Sequence, residues 1–140
     1  MNSDDGHFPA ALKNGEFPFL DLLEVEVQAI DPGTAVLKLQ VDEKHLRSLG
    51  IVHGGVTSAL LDTALGVAGA SHAPKKHHAV TMQLNINFTR IAKQGDLLTT
   101  TGRAVHFGSR TAVCQGEVLN QNGEMIASAS STIMFLPLPD

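Results

Sequence analysis

One segment near the middle of the chain joins a glycine turn to an apolar run that holds a single charge. Val52-His53-Gly54-Gly55-Val56 reads as a loop that turns into a helix, and residues 56–70 are almost all small or apolar. Asp62 is the only charged residue in that run. A carboxylate in the middle of a core helix costs several kcal/mol unless something pairs with it or uses it. We therefore predict a core helix in which Asp62 has a partner or a chemical role.

The glycines that open this helix favour the binding of a negatively charged oxygen. The first amides of a helix have no intrahelical partner and lie at the positive end of the helix dipole. Glycine at positions 54 and 55 lets a ligand oxygen come close to those amides. Gly55 and Asp62 are seven residues apart, which is about 10 Å along a helix. That is too far for both groups to act on one carbonyl from the same helix, so if both act they come from different subunits of a symmetric dimer.

The composition limits the classes of function open to the chain. Its 140 residues are 43% hydrophobic, which is enough for one domain with a real core. The net charge of −4 argues against a nucleic-acid-binding protein that neutralises phosphates. The single cysteine, Cys114, cannot form an intrachain disulfide, and the acidic residues 1–5 do not resemble a signal peptide. No apolar run is long enough to span a membrane. We therefore expect a cytoplasmic protein that binds neither nucleic acid nor membrane.

The predicted elements follow the order short helix, two strands, long helix, four strands. We assign residues 1–140 to one domain, in which residues 1–18 form an extension with a short helix in His7–Glu16. Apolar alternation and turn signals predict the strands Phe19–Ile30, Ala35–Val41, Val80–Arg90, Leu97–Phe107, Arg110–Leu119 and Glu124–Phe135. Hairpin-connected strands with one apolar helix indicate an α+β layered domain.

The spacing of apolar and small residues predicts which side chains share one face of the long helix and one face of the strand after it. Because the helix is apolar nearly all round, we expect the sheet to wrap it and a partner subunit to cover the remainder. One helix face carries small residues that leave room for a ligand beside the carboxylate: Gly55, Ala59, Asp62, Gly66 and Gly69. In the following strand, alternation predicts that four apolar side chains point the same way: Met82, Leu84, Ile86 and Phe88.

The element order, the sequence His53-Gly54-Gly55 and the acid at position 62 together resemble the hotdog-fold thioesterases. The resemblance is to the phenylacetate-pathway (PaaI-type) branch of the acyl-CoA thioesterases and covers roughly residues 20–135. Its core pattern is HGG, six further residues and then an acid, as in this chain. The strand Thr81–Phe88 and the turn Arg90–Asp96 also resemble the family. The resemblance implies a hotdog fold, in which an antiparallel β-sheet wraps around a long central helix.

The resemblance also implies hydrolysis of the thioester between an acyl group and coenzyme A. The Gly55 amide would polarise the thioester carbonyl, and Asp62 of the partner subunit would act as the nucleophile or as the base for water. Thr81 stands where a hydroxyl residue helps to hold that water. His53 either shapes the turn through a hydrogen bond or transfers a proton. Arg47 stands where many relatives carry Asn or Gln, and it either acts as a stronger donor or points away.

Acyl-CoA is the implied substrate, and the implied assembly is a homodimer that pairs further into a homotetramer. We expect no cofactor, since CoA is part of the substrate, and no metal. Residues beside glycines and turns are the candidates for contact with the substrate: Gly54, Arg90, Lys93, Gly108, Ser109 and Arg110. The phosphates of CoA need cationic partners, although cations at such turns are often simply solvated.

Two other functions are compatible with the same fold. A non-catalytic acyl-CoA-binding hotdog protein would keep the glycines but would not require a carboxylate at position 62. A hotdog hydratase or dehydratase would use an acid together with a catalytic histidine, and residues 54–70 contain no histidine. Asp62 therefore favours catalysis, and the missing histidine favours hydrolysis.

Overall fold

The computed structural model describes residues 17–140, so the short helix predicted in His7–Glu16 lies outside the described residues. The described elements are α1 (Pro18–Leu23), β1 (Glu26–Asp31), β2 (Thr34–Gln40), α2 (Gly54–Ala70), β3 (His77–Phe88), β4 (Leu97–Phe107), β5 (Thr111–Leu119) and β6 (Met125–Pro137). Two 3₁₀ turns, Glu43–His45 and Ser48–Gly50, connect β2 to α2.

The six strands form one antiparallel sheet in the order β1-β2-β4-β5-β6-β3. Strands β1 and β3 are its two edges, and α2 packs across one face, mainly against β4, β5 and β2. The predicted α+β architecture, an antiparallel sheet around a long central helix, is confirmed. Neither helix within residues 17–140 combines the length and the hydropathy that crossing a membrane requires.

The strand predicted at Phe19–Ile30 is wrong over its first half. Residues Pro18–Leu23 form α1 instead, and β1 begins only after that helix has ended. Pro18 stands at the first turn of the helix, where its fixed φ is favourable and its missing N–H has no intrahelical partner to lose. Leu20 and Leu23 are three residues apart and are both buried, which is the spacing of one helix face. The proline at the start of this segment was the signal for a helix.

Helix α2 rests directly on the backbone of the sheet because two glycines lie side by side beneath it. Gly102 of β4 pairs with Gly116 of β5. A Cβ atom added to Gly102 would lie 2.5 Å from the carbonyl oxygen of Ala64, and one added to Gly116 would lie 2.7 Å from Cδ1 of Leu65. Unstrained contacts between heavy atoms are about 3.5–4.0 Å long. A larger residue at position 102 would therefore force the helix off the sheet, whereas one at position 116 would first meet the carbonyl oxygen of Thr101 in the neighbouring strand.

The core between α2 and the sheet is aliphatic. Its fully buried large side chains come from the helix and from the inner face of the strands: Leu37, Leu39, Leu60, Leu61, Leu65, Leu98, Val118, Ile126 and Ile133. Cys114 is buried among them, and desolvation raises the pKa of its thiol to about 11. Because the thiol stays protonated at neutral pH, Cys114 is a packing residue and not a nucleophile.

One face of α2 is open in the single chain. We call it the open face of α2, and its residues are exposed or half-buried: Gly55, Ala59, Asp62 and Gly66. The sheet therefore leaves part of the helix uncovered, as expected, and the covering of this face by a partner subunit stays a prediction. Gly69 was also predicted on this face, but it packs on the sheet, where an added Cβ would lie 3.1 Å from Sγ of Cys114. The sheet is too small to enclose the helix, and the uncovered part is the part that carries the carboxylate.

Candidate active site

Asp62 reaches from the open face of α2 to the edge strand β3. Its Oδ1 accepts a hydrogen bond from Oγ1 of Thr81 at 2.7 Å. Both residues are exposed in the single chain, and within residues 17–140 no other hydrogen bond reaches this carboxylate. The two side chains that the sequence predicts at the site are thus brought together. A carboxylate that is fixed on one side and open on the other can act on an atom that is presented to it from outside the chain.

A bulge in β3 turns Thr81 towards the helix. Thr81 pairs with Ile133 of β6, whereas Gln83 pairs with Thr132, so the register shifts by one residue at Met82. Side chains alternate between the two faces of a strand, so without this shift Thr81 would share the outer face with Gln83. The bulge therefore supplies the hydroxyl group that holds the carboxylate.

The same bulge corrects the predicted face of β3. Leu84, Ile86 and Phe88 point the same way, as predicted, and they face the helix side of the sheet, but Met82 lies at the bulge and leaves the alternation. Leu84 and Ile86 pack against the core, whereas Phe88 and Met82 are both more than half exposed. The edge of the sheet next to the site therefore presents two uncovered apolar side chains.

The amides at the start of α2 are not equally free. His53 is the N-cap of the helix, and its Nδ1 accepts a hydrogen bond from the Gly55 N–H at 2.8 Å. In this structure His53 shapes the turn, and an accepting Nδ1 places the ring proton on Nε2. The Gly55 amide, predicted as the oxyanion donor, thus already has a partner. The Gly54 N–H forms no hydrogen bond within the part of the chain that the structure describes.

A buried histidine that the sequence analysis leaves without a role anchors this turn. His45 has almost no exposed surface, and its carbonyl oxygen accepts a hydrogen bond from the His53 N–H at 2.9 Å. Its Nε2 donates to the carbonyl oxygen of Leu23 at 2.7 Å, and its Nδ1 accepts from the Asp42 N–H at 2.9 Å. Asp42 and His45 form a capping box. An acid followed three positions later by a polar residue is the sequence signal that could have predicted this role of His45.

Arg47 lies on the turn that precedes this helix. Its backbone N–H donates to the carbonyl oxygen of Ile51 at 2.8 Å, and its Nη2 donates to Oγ of Ser48 at 3.2 Å. The guanidinium is exposed and forms no ion pair within residues 17–140. It is therefore available to a ligand, and its part in polarising the substrate stays a prediction.

The comparison with known proteins identifies the family. Residues 49–127, more than half of the chain, match the model of the thioesterase superfamily. This protein belongs to the thioesterase superfamily. Acyl-coenzyme A thioesterase PaaI of Escherichia coli is 32% identical over 105 residues, which cover 75% of this chain and 73% of PaaI. The 1,4-dihydroxy-2-naphthoyl-CoA hydrolase of E. coli is 26% identical over 122 residues, which cover 87% of this chain and 89% of the hydrolase.

The solved structures agree with the sequence relatives. E. coli PaaI, from the phenylacetic acid degradation operon, superimposes with a TM-score of 0.83 at 26% identity, over 93% of this chain and 94% of PaaI. The hotdog fold and the PaaI-type resemblance are thereby confirmed, and the protein is a thioesterase.

The predicted substrate-binding residues of this thioesterase fall into two separate groups. Arg90 and Lys93 lie near the start of α2, since Lys93 bridges to Ile51 in the turn before the helix. The guanidinium of Arg90 is engaged by Glu124 at 3.1 Å. A hydrogen bond from Asn120 and the charge of Arg90 lower the pKa of the Glu124 carboxyl. Arg90 is therefore a partly neutralised cation, and Lys93 is the freer of the two.

The turn Gly108-Ser109-Arg110 lies at the other end of the sheet. The Arg110 carbonyl accepts a hydrogen bond from the Phe135 N–H, whereas the Arg90 N–H donates to the Ile126 carbonyl. Residues 126 and 135 are nine apart on β6, which is about 30 Å along a strand. The two groups of one chain therefore cannot bind the same phosphates. Of the two groups, the turn at Arg110 is the one that lies on the Asp62 side of the fold.

The His53 cap gives a stability test at Gly55. A Cβ added at Gly55 would lie 2.9 Å from Nδ1 of His53, so Gly55→Ala is expected to expel the cap. Losing such a cap costs about 1 kcal/mol. Gly66→Ala is the matched control, because a Cβ there meets nothing within 4 Å. Thermal unfolding of both variants measures the difference, and equal stability would show that the cap contributes nothing.

Proposed function

We propose that this thioesterase hydrolyses acyl-CoA thioesters to a free acid and CoA, in composite sites shared by the two subunits of a homodimer. The observation that carries the proposal is the exposed Asp62 carboxylate, held by Thr81 at 2.7 Å on an otherwise open helix face. The names of the E. coli relatives support the choice of CoA thioesters, since both are named for acyl-CoA substrates.

Asp62 is the group that would open the thioester. As a base, it takes a proton from water while the water oxygen bonds to the carbonyl carbon, and this proton passes to the departing sulfur. As a nucleophile, a carboxylate oxygen of Asp62 bonds to the carbonyl carbon, and water then attacks the acyl carbon of the resulting anhydride, which restores the carboxylate. In either case the C–S bond breaks, the CoA sulfur leaves with the electron pair, and water supplies the oxygen of the product acid. Thr81 donates to one carboxylate oxygen and so orients the other towards the substrate.

The amides at the start of α2 would stabilise the oxyanion. Negative charge that develops on the carbonyl oxygen is stabilised by donors about 3 Å away. Gly54 is the donor that is available without rearrangement, and the Gly55 amide joins it when the substrate oxygen replaces Nδ1 of His53. Both amides lie about 10 Å from Asp62 of the same helix. The oxyanion site and the carboxylate that act together therefore come from two chains.

Strand β3 offers the surface for that pairing. It is a 12-residue edge strand, and an unpaired edge with exposed apolar residues is a template for another strand. A two-fold axis that pairs β3 with the β3 of a second copy would reverse the direction of α2, so that the start of one helix approaches the middle of the other. The same pairing would cover the open face of α2. Two such dimers would then form the homotetramer.

The direct test of the activity follows the release of free thiol from a panel of acyl-CoAs with a chromogenic thiol reagent. The panel pairs aryl-CoAs with alkyl-CoAs of similar size, because one relative is named for an aromatic acyl group. Thiol release that rises with enzyme concentration supports the proposal. Tight binding of acyl-CoA without any release would favour the non-catalytic binding protein.

Complementation tests the shared site. Gly55→Pro removes the Gly55 N–H in the first turn, where proline fits a helix, and Asp62→Asn removes the base. Each variant alone is expected to have very low activity. Random mixing makes half of the dimers mixed, and each mixed dimer has one intact composite site of two. Activity is thus expected to return to about a quarter of the wild-type value.

The matched control for complementation places both substitutions in one chain and mixes it with Asp62→Asn. No intact site arises in that mixture, so no activity returns. If the first mixture also stays inactive after subunit exchange has been verified by mass, the shared-site mechanism is wrong.

A further inference from the structure

His45 is a buried polar side chain that no step of the proposed hydrolysis uses. Only 1% of its surface is exposed, and it ends the 3₁₀ turn Glu43–His45 between β2 and α2. Burying an imidazole is unfavourable unless its ring nitrogens have hydrogen-bond partners. Both nitrogens of His45 have one, and the two partners belong to different segments of the chain. The ring is therefore a fixed connection between those segments.

The ring joins the end of α1 to the turn that follows β2. Its Nδ1 accepts a hydrogen bond from the Asp42 N–H at 2.9 Å, so the ring proton lies on Nε2. Nε2 donates that proton to the carbonyl oxygen of Leu23 at 2.7 Å, 22 residues away in sequence. Leu23 is the last residue of α1, and the last carbonyls of a helix have no intrahelical partner. The bond thus satisfies the helix end and fixes residue 45 at the same time.

The connection continues from His45 along the backbone into residues 51–55, which we call the oxyanion turn. The His45 carbonyl oxygen accepts a hydrogen bond from the His53 N–H at 2.9 Å. His53 in turn accepts from the Gly55 N–H through its Nδ1 at 2.8 Å. One hydrogen-bonded path therefore runs from α1 through the ring and the carbonyl of His45 to the first amides of α2.

Two neighbouring residues anchor the oxyanion turn from two segments of the chain. The Val52 N–H donates to the carbonyl oxygen of Ala92 at 2.8 Å, and the His53 N–H donates to His45. If the second anchor shifts, the turn can pivot about the first. Such a pivot moves the amides of Gly54 and Gly55, because these are the next two residues of the chain.

We propose that His45 is a positioning residue for the hydrolysis, because its ring holds the oxyanion amides of Gly54 and Gly55 in place by tying their turn to α1. The inference rests on the proposed function insofar as those amides stabilise the oxyanion. A misplacement of about 1 Å can lower a rate about 100-fold. Oxyanion donors act on the transition state more than on the bound substrate, so a defect in their position lowers kcat and leaves KM nearly unchanged.

The test replaces His45 by two amides that each preserve one of its ring bonds. The amide nitrogen of Gln can replace Nε2 as the donor to Leu23, whereas the amide oxygen of Asn can replace Nδ1 as the acceptor for Asp42. His45→Asn loses the long-range bond and is expected to lower kcat about 10-fold with KM within about twofold of the wild type. His45→Gln keeps that bond and is expected to lower kcat only about threefold.

Lys44→Gln is the matched control. The ion pair between Lys44 and Glu24, at 2.8 Å, joins the same two segments at the surface, next to His45. Because this pair makes no contact with the path to the oxyanion turn, kcat of Lys44→Gln is expected to equal that of the wild type. All rates are divided by the fraction of protein that binds a non-hydrolysable acyl-CoA analogue, so that unfolded protein does not count.

A role of His45 in stability alone gives a different result. His45→Asn would then unfold at a lower temperature, but its folded fraction would keep the wild-type kcat. That outcome would overturn the inference, as would equal losses of kcat in His45→Asn and His45→Gln, or the same loss in Lys44→Gln. If His45→Asn does not fold, the comparison of His45→Gln with Lys44→Gln decides, and equal kcat values would overturn the inference.

Amide hydrogen exchange separates this inference from the proposed function. Exchange measured by NMR reports the opening of the oxyanion turn without any hydrolysis, and the His53 and Gly55 amides are expected to exchange about 10-fold faster in His45→Asn than in Lys44→Gln. If no acyl-CoA is hydrolysed but this difference is found, His45 still fixes the turn and only the proposed activity falls. If acyl-CoA is hydrolysed and the two variants exchange equally, the positioning role falls alone.

Discussion

Asp62→Asn is expected to lower kcat by a factor of about 100 or more, because the loss of a general base or nucleophile has this size. The substitution changes one oxygen to an amide group and keeps the shape of the side chain. The amide oxygen can still accept the hydrogen bond from Thr81, so the local structure should survive. The binding of a non-hydrolysable acyl-CoA analogue is therefore expected to change little.

The measurement is single-turnover thiol release together with the dissociation constant of the analogue. Asp21→Asn is the matched control, because Asp21 is an exposed acid in α1 and has no part in the site. Thr81→Val keeps the carboxylate but removes the hydroxyl that orients it. Its kcat is therefore expected to fall less than that of Asp62→Asn. Turnover of Asp62→Asn within twofold of the wild type would show that the carboxylate is structural.

Gly102→Ala is expected to produce the largest loss of stability, about 3 kcal/mol, since overpacking that moves backbone costs roughly 1–3 kcal/mol or more. The added Cβ would lie 2.5 Å from the Ala64 carbonyl oxygen and 2.9 Å from the Leu65 nitrogen. Both are backbone atoms of α2, so no side-chain rotation can relieve the contact. The helix has to move away from the sheet, and that movement also shifts the open face that carries the site.

Denaturant unfolding of the purified variant measures the free energy of unfolding. Gly66→Ala is the control, because it adds the same methyl group to the helix where nothing lies within 4 Å. A Gly102→Ala protein as stable as this control would mean that α2 does not rest on the sheet backbone as described.

The sequence predicts the strands and the long helix well where turn signals bound them. The strand predicted at Leu97–Phe107 coincides with β4, because a glycine turn precedes it and Gly108-Ser109 follows it. The helix is recognised because glycines open it and a long apolar run follows. Asp62 is recognised for the opposite reason, since a single charge contradicts the apolar pattern around it.

The failures occur where one local rule overrides the pattern. The segment after Pro18 has enough apolar alternation to resemble a strand. A proline at the first turn and buried leucines three residues apart nevertheless make it α1. A turn-shaping hydrogen bond is one of the two roles predicted for His53, but its donor, the Gly55 amide, could not be predicted because it depends on the rotamer of His53. The open face of α2 depends on how far the sheet curves, which no single segment encodes.

Bulges in β3 and β4 mean that each of these strands follows two side-chain registers. In β3, Leu84 and Ile86 keep the register of the core, whereas Thr81, on the other side of Met82, has shifted by one residue and serves the carboxylate. In β4, the shift after Ala104 places Phe107 on the helix side in the same manner. Removing a bulge residue would move the side chains of the part of the strand next to the site to the opposite face of the sheet. The side chains in the part that packs on the core would keep their positions. The residues that serve substrate chemistry can therefore be exchanged by single insertions or deletions, independently of the packing that keeps the protein folded.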